Sequence, residues 1–408
     1  MQEQLLLTAE SKKIAEKTFR CDIVRSTMNG VLETGFATFG ILVAIRIFDA
    51  SESSKGILAA AMSAGLLLTP WVIKLASKSG LTATRFGSCL MVLSGIFTAG
   101  ASLAANSASY TFCLVVGQLC ASQLPGLMIQ VYSRNYGPNE RGRRISWNVM
   151  SSALVGMAIS YWFGSSLDNS AENFRWIFSG MCLFALLSAA TLLPIPSERI
   201  DEPEERKSSF GSGILLAWED KLFGRMLLGW MVMGFGVLMT LPLRVEYLAG
   251  KGGLGMSNSE VAIVAVVSFS TARIVSSRIW GFLFDRLHFI GFRLILNFFL
   301  LSASVVFFQA ESFAGVCIGS ILAGFGTGGS IIAWSLWVTK LAPKGRETEY
   351  MGTHIAFTGI RGIVAPFLGY WVLSVVGFTG VAWTSAGLIL TSSLIFTSVL
   401  RNPRFRKD

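Results

Sequence analysis

The chain has 408 residues, of which 52% are hydrophobic and only 14% charged, with a net charge of +10. That balance excludes an ordinary water-soluble globule, and cations scattered through alternate loops exclude a basic nucleic-acid-binding domain. Six cysteines without a C-x-x-C pair and only two histidines argue against a disulfide framework or a histidine metal centre, and no cofactor motif is present.

Met1 to Arg20 is a poor signal peptide, because Glu3 and Glu10 interrupt it and Leu5-Leu6-Leu7 is too short an apolar core. It reads as a cytoplasmic helix leading into the first span. Twelve apolar stretches follow. At ~1.5 Å per residue each is long enough to cross a hydrocarbon layer of ~30 Å. In chain order they are 22–45, 56–76, 83–104, 110–131, 145–166 and 174–193, then 225–248, 259–280, 289–309, 313–338, 350–376 and 379–400. Pro194, Pro196 and Pro203 flank a charge run from Glu198 to Lys207 that cannot bury enough apolar surface to pack, so this stretch is expected as a solvated linker. Gly213 to Trp218 beyond it is amphipathic and suits a membrane-surface helix. The expected fold is therefore an all-α polytopic membrane protein of 12 transmembrane helices in two pseudo-symmetric six-helix bundles. Its parts are an N-terminal segment (1–20), a bundle (21–194), a linker with a surface helix (195–221), a second bundle (222–400) and a tail (401–408).

Lysine and arginine counts orient it. With the N-terminus inside, the loops bearing Lys74, Lys78 and Arg85, Arg141, Arg143 and Arg144, Arg286 and Arg293, and Lys340, Lys344 and Arg346 are all cytoplasmic. Arg401, Arg404, Arg406 and Lys407 of the tail join them. The opposite loops hold only Arg46, Lys55, Arg175 and Lys251. Both termini are expected inside, and the short loops suit a bacterial inner membrane.

A faint repeat relates the halves. Arg134 to Arg141 follows span four and Thr339 to Arg346 follows span ten, and their prolines, Pro138 and Pro343, stand about half the chain apart. Between spans eight and nine lies Gly281-Phe282-Leu283-Phe284-Asp285-Arg286, ending in Gly291-Phe292-Arg293. On these residues and the six-plus-six layout, the chain resembles the major facilitator superfamily, whose G-x-x-x-D-R signature occupies this loop. The resemblance implies an inner gate of Gly281, Asp285, Arg286 and Arg293, with Arg25 on the inner side of span one. In the matching loop of the first half the glycine and aspartate are replaced by Ile73 and Ser77, so the second half is expected to carry the latch. Span five, with Gly156, lacks the G-x-x-x-G-P string of many proton-coupled drug exporters; Gly359-Ile360-Arg361-Gly362 with Pro366 in span eleven is the nearest match.

Ionisable groups in the spans need an explanation, since each costs at least ~2.5–3.5 kcal/mol in hydrocarbon unless paired or hydrated. Asp22, Arg25, Asn29 and Glu33 share one face of span one, with Glu33 ~16 Å along the helix from Asp22. Glu33 is a candidate proton-titrating or substrate-pairing carboxylate, and equally a structural partner for an arginine. Arg361 near the middle of span eleven and Arg273 in span eight are candidate anion-holding cations. Asn29, Gln118, Gln123 and His354 are candidates for polar recognition or proton transfer, with helix–helix glue as the other reading of the glutamines. Arg244 and Glu246 suit an outer gate. Gly324-Phe325-Gly326-Thr327-Gly328-Gly329 lies inside a span with no strand before it, and no Walker lysine is present, so nucleotide binding is excluded.

The sequence thus predicts no catalytic cluster and no enzyme. It predicts a monomeric secondary active transporter in the lipid bilayer that moves a small polar, anionic or zwitterionic solute by alternating access, coupled to H+ or Na+. Two readings stay beside it: a proton-coupled exporter of drugs or other amphiphiles, and a non-transporting receptor or scaffold of the same fold.

Overall fold

The computed structural model describes residues 2–200, 210–338, 341–343, 346–402 and 404. The charge run from Asp201 onward lies outside these residues, as do Lys340, Lys344, Arg406 and Lys407 of the orientation argument. The chain folds into two compact units. One comprises Met1–Ala50 with Ala64–Glu205, the other Ser51–Ser63 with Arg206–Asp408.

In the first unit, α1 (Gln2–Thr34) runs through a π-helical turn, Gly35–Phe39, into α2 (Gly40–Arg46). Then come α3 (Glu52–Lys78), whose first residues belong to the other unit, α4 (Ala83–Ser102), α5 (Ser107–Ala121), α6 (Leu124–Asn135), α7 (Pro138–Asn169) and α8 (Phe174–Leu192). Side-chain caps start several of them. Thr82 accepts from the Arg85 N–H and Asn106 from the Ser109 N–H, filling donors that a helix start leaves empty. Pro125 stands at the start of α6, so the fourth span is two helices joined at Ser122 and Gln123. Glycine sets the closest approach. A methyl group at Gly30 of α1 would fall on the Ser152 carbonyl of α7, and one at Gly156 on the Thr34 hydroxyl.

The second unit contains α9 (Phe210–Glu219), α10 (Lys221–Ala249), α11 (Asn258–Ala262) leading through a π-helical turn (Ile263–Ser268) into α12 (Phe269–Arg286), then α13 (Phe289–Gln309), α14 (Phe313–Leu336) and α15 (Glu347–Ser398). Ser257 and Glu260 form a reciprocal capping box at α11. Gly377 breaks α15 with φ 66°, a conformation that suits glycine, so α15 crosses twice. Its second crossing docks on α10 through small residues: Ser385 donates to the Gly236 carbonyl at 2.8 Å and Ser392 to that of Gly229 at 2.7 Å.

Nine helical stretches among the described residues are long and apolar enough to cross a membrane. With α4, α7 and the second crossing of α15 they make the twelve spans that the apolar pattern predicts. The distribution of side chains inverts that of a soluble protein. Leu103, Trp176 and Trp218 are exposed, the last at 82%, while Asp22, Arg25 and Arg293 are buried. Such a surface belongs against lipid.

Candidate functional site

Each unit carries its own polar interior. In the first, the face of α1 predicted from residue spacing divides into two clusters. Asp22 is fully buried; its carboxylate accepts from Arg25 Nε at 2.6 Å and from the Asn148 amide of α7. Arg25 also donates to the Tyr132 hydroxyl of α6 at 3.2 Å. The ion pair is therefore closed within one turn of α1, and Arg25 takes Asp22 rather than Glu33. Farther along, Glu33 accepts from Asn29 Nδ2 at 2.7 Å and from the Ser152 hydroxyl at 3.3 Å. Glu33 is exposed on a stretch of helix otherwise buried, and the π-helical turn begins two residues later. Such turns widen a helix locally and recur at functional sites.

The two glutamines behave differently. Gln123 spends its amide on structure: Nε2 donates to the carbonyls of Gly65 at 2.8 Å and Leu119 at 3.0 Å, and Oε1 accepts from Thr69 at 3.1 Å. Gln118 is buried in α5.

In the second unit, three candidate residues meet around Trp230 of α10. Arg361 is 5% exposed, and its Nη1 donates to the Trp230 carbonyl at 2.5 Å. Arg293 is 0% exposed, lies over the Trp230 ring at 4.5 Å, and donates to Asn297 Oδ1 from Nη2 at 2.7 Å and Nε at 3.0 Å and to Ser330 at 3.3 Å. His354, 1% exposed, sits among Trp230, Trp334 and Trp337, at 5.6, 5.3 and 5.1 Å between ring centres. Among the described residues neither guanidinium meets a carboxylate. The motif groups Arg293 with the inner gate; one turn into α13, its side chain is fully buried. Glycine makes room for this packing, since a methyl at Gly234 would overlap the Arg361 guanidinium.

Arg273 is half-buried over the Phe269 ring at 5.7 Å. Arg244 faces the same ring at 5.5 Å and Phe307 at 4.5 Å, and donates to Ser320 at 2.5 Å. It borders a cavity of about 30 Å³, with Phe269, Ser304 and Thr327 among its walls, large enough for a water molecule. Glu246, two residues on, forms a buried ion pair with Lys55 at 2.8 Å, and the Lys55 ammonium lies 5.0 Å from the centre of the Tyr370 ring. Lys55 was read only as a loop cation; its position at the start of an apolar run was the signal for burial. In the last two turns of α12, Gly281 has open space around it, Asp285 and Arg286 are exposed, and Arg286 covers the Phe282 ring at 3.7 Å.

At the start of α10, Asp220 caps the helix by accepting from Leu222 and Phe223 N–H, and also accepts from Arg404 at 2.7 Å and Tyr350 at 3.0 Å. Burial alone would raise its carboxyl, but the Arg404 guanidinium, the Phe223 N–H and the Tyr350 hydroxyl together hold it below the usual carboxylate range. Among the described residues no group of three or more His, Cys, Asp or Glu is placed to hold a metal ion.

The fold has counterparts among solved structures. The mutant form of the nucleoside transporter NupG superposes with a TM-score of 0.75 at 11% identity, over 94% of this chain and 99% of that one. The D-xylose-proton symporter gives 0.68 at 14% identity over 96% and 98% of the two chains. A bacterial homolog of the human lysosomal transporter Spinster, inward-facing and occupied, gives 0.67 at 13% identity over 96% and 97%. At such identities the likeness is one of fold. No curated protein matches the chain by sequence. The profile of the Major Facilitator Superfamily matches residues 26–308 and 245–408, so the chain belongs to that superfamily of membrane transporters.

Proposed function

We propose that this secondary transporter moves a small polar solute bearing negative charge, anionic or zwitterionic, by alternating access, with Glu33 as the proton-titrating group that couples flux to a gradient. The observation that carries the reading is Arg361. A guanidinium stays charged at any physiological pH, and this one is held in a membrane-spanning helix with a backbone carbonyl as its only hydrogen-bond acceptor among the described residues. Burying a charge without a counter-charge is expensive, and the expense is explained if a negatively charged solute supplies the partner. Glu33 supports coupling, because the Asn29 amide and the Ser152 hydroxyl among its partners can serve either protonation state. A proton-coupled symporter among the structural counterparts makes protons the first ion to test. The lysine and arginine distribution supports an inner-membrane protein with both termini in the cytoplasm.

Flux into proteoliposomes tests the proposal. Purified protein should carry an anionic solute saturably, faster with an imposed pH gradient than with a sodium gradient. Arg361→Ala should abolish flux while the protein still inserts. Undiminished uptake by that variant would remove Arg361 from the mechanism. Flux only of cationic amphiphiles would replace this reading with a drug exporter, and none at all with a receptor or scaffold.

A further inference from the structure

Buried polar groups in folded proteins almost always find a hydrogen-bond partner, so a cluster of exceptions calls for an explanation. Among the described residues fourteen buried side-chain polar atoms lack one, and six of them belong to five side chains around one place. They are the Trp230 and Trp337 indole nitrogens, both nitrogens of His354, the Thr358 hydroxyl and Arg361 Nε. His354, Thr358 and Arg361 are spaced by four and three residues, which puts them on one face of α15. Trp230 and Trp337 pack against His354 from α10 and from the end of α14. Arg293 approaches from α13 over the Trp230 ring while Arg361 donates to the Trp230 carbonyl, so both guanidiniums meet the same residue. The whole cluster lies in one unit.

We infer that this cluster is a seat for a compact oxyanion, a carboxylate or phosphate group, bound between Arg361 and Arg293. The chemistry of the lining selects the class. Guanidinium and indole nitrogens only donate, so four of the six side chains are donor-only, and only Thr358 and one nitrogen of His354 can accept. A cation would find no counter-charge. A sugar or nucleoside, rich in hydroxyl donors, would leave many of them unmet. A carboxylate only accepts and a phosphate accepts far more than it donates, so either places negative charge between the two guanidiniums and can take the free Nε–H and the indole N–H groups. Arg293 thereby joins Arg361 in place of Arg273, which lies over Phe269. The inference deepens the anionic-solute reading and rests on it only for the ligand's role as cargo.

Three indoles border His354, so binding is readable in tryptophan emission. The full-length protein in detergent is titrated with inorganic phosphate and with acetate, against xylose and uridine as neutral controls. A saturable change with at least one oxyanion and none with the neutral solutes is expected; the stronger of the two tells phosphate from carboxylate. Arg361→Lys, which removes the planar fork, should weaken that binding about tenfold or more, and Thr358→Val about threefold. The second variant keeps the side-chain shape and carries the test should the first fail to fold. No saturable response to either oxyanion, or equal affinity in both variants, overturns the inference. Oxyanion binding without flux in proteoliposomes leaves the seat standing and removes the transport reading; flux of a solute without oxyanion binding leaves transport standing and removes the seat, and a neutral cargo removes the anionic-solute reading with it.

Discussion

The buried pair of Lys55 and Glu246 yields a prediction whose sign is not the intuitive one. Their side chains are 11% and 9% exposed and their charges 2.8 Å apart. At an effective dielectric of about 20, the attraction is roughly 6 kcal/mol, and desolvating two ions costs several kcal/mol each. The pair therefore roughly breaks even against apolar side chains, whereas removing one partner strands a buried charge at a cost of about 3–5 kcal/mol. Lys55→Met and Glu246→Gln should each lower the thermal midpoint clearly, and Lys55→Met more, because the ammonium left by Glu246→Gln keeps the Tyr370 ring. The double variant Lys55→Met/Glu246→Gln should recover most of the loss. The assay is the midpoint of thermal unfolding of purified protein for the four corners of the cycle, which isolates the pairwise interaction. Single variants that melt with the parent, or a double variant whose loss equals the sum of the singles, would refute the reasoning.

Gly30→Ala places a methyl group on the Ser152 carbonyl, where backbone must move, and should cost about 1–3 kcal/mol; an unchanged melting midpoint would contradict the close approach of α1 and α7. Gly234→Ala pushes instead against the movable end of Arg361, so the protein should fold while phosphate or acetate affinity falls about tenfold; retained affinity would show that Arg361 need not lie on Trp230. Glu33→Gln keeps the partners Asn29 and Ser152 but cannot titrate, so uptake driven by a pH gradient should stop while solute exchange continues; gradient-driven uptake at the parent rate would exclude Glu33 as the coupling group. The Asp220 carboxyl is held below its ordinary range, so its stabilising contribution is full above the unfolded-state value near ~4 and is lost as pH falls through the lower folded-state value. Asp220→Asn keeps a good helix cap and should remove the pH dependence together with the stability that the charge supplies at neutral pH, whereas Asp220→Ala should cost about 1 kcal/mol more; identical melting curves for the two would show that the cap contributes nothing.

The fold was legible because a membrane writes its constraint along the chain. A span must be continuous, apolar and about twenty residues long, so each can be recognised from local sequence alone. The same locality explains which details escaped. Helical spacing put Asp22, Arg25, Asn29 and Glu33 on one face, and the clusters in α1 keep to that order. It could not say that Asp22 would take Arg25, since the choice is settled by Asn148 and Tyr132, which arrive from more than a hundred residues away. Gln123 was ambiguous between recognition and glue until the Gly65 carbonyl of α3 came within 2.8 Å of it. The π-helical turns at Gly35–Phe39 and Ile263–Ser268 leave no compositional mark that separates them from ordinary helix.

The displacement of Arg293 has the same physical root. The loop motif reads in one dimension, and in that dimension Arg293 adjoins Asp285 and Arg286. A helix turns by about 100° per residue, so the few residues from Phe289 to Arg293 suffice to swing a side chain from the membrane surface to the bundle interior. There it meets Asn297, one turn on, which is held in turn by the Ser393 hydroxyl at 2.9 Å. Neutral acceptors orient the guanidinium without cancelling its charge. A carboxylate in that position would have made a closed ion pair like that of Asp22 and Arg25; an asparagine leaves the charge available. The two units thus treat buried arginine in opposite ways, sealing it in the first and keeping it open in the second, and an open buried cation is what a negatively charged ligand requires.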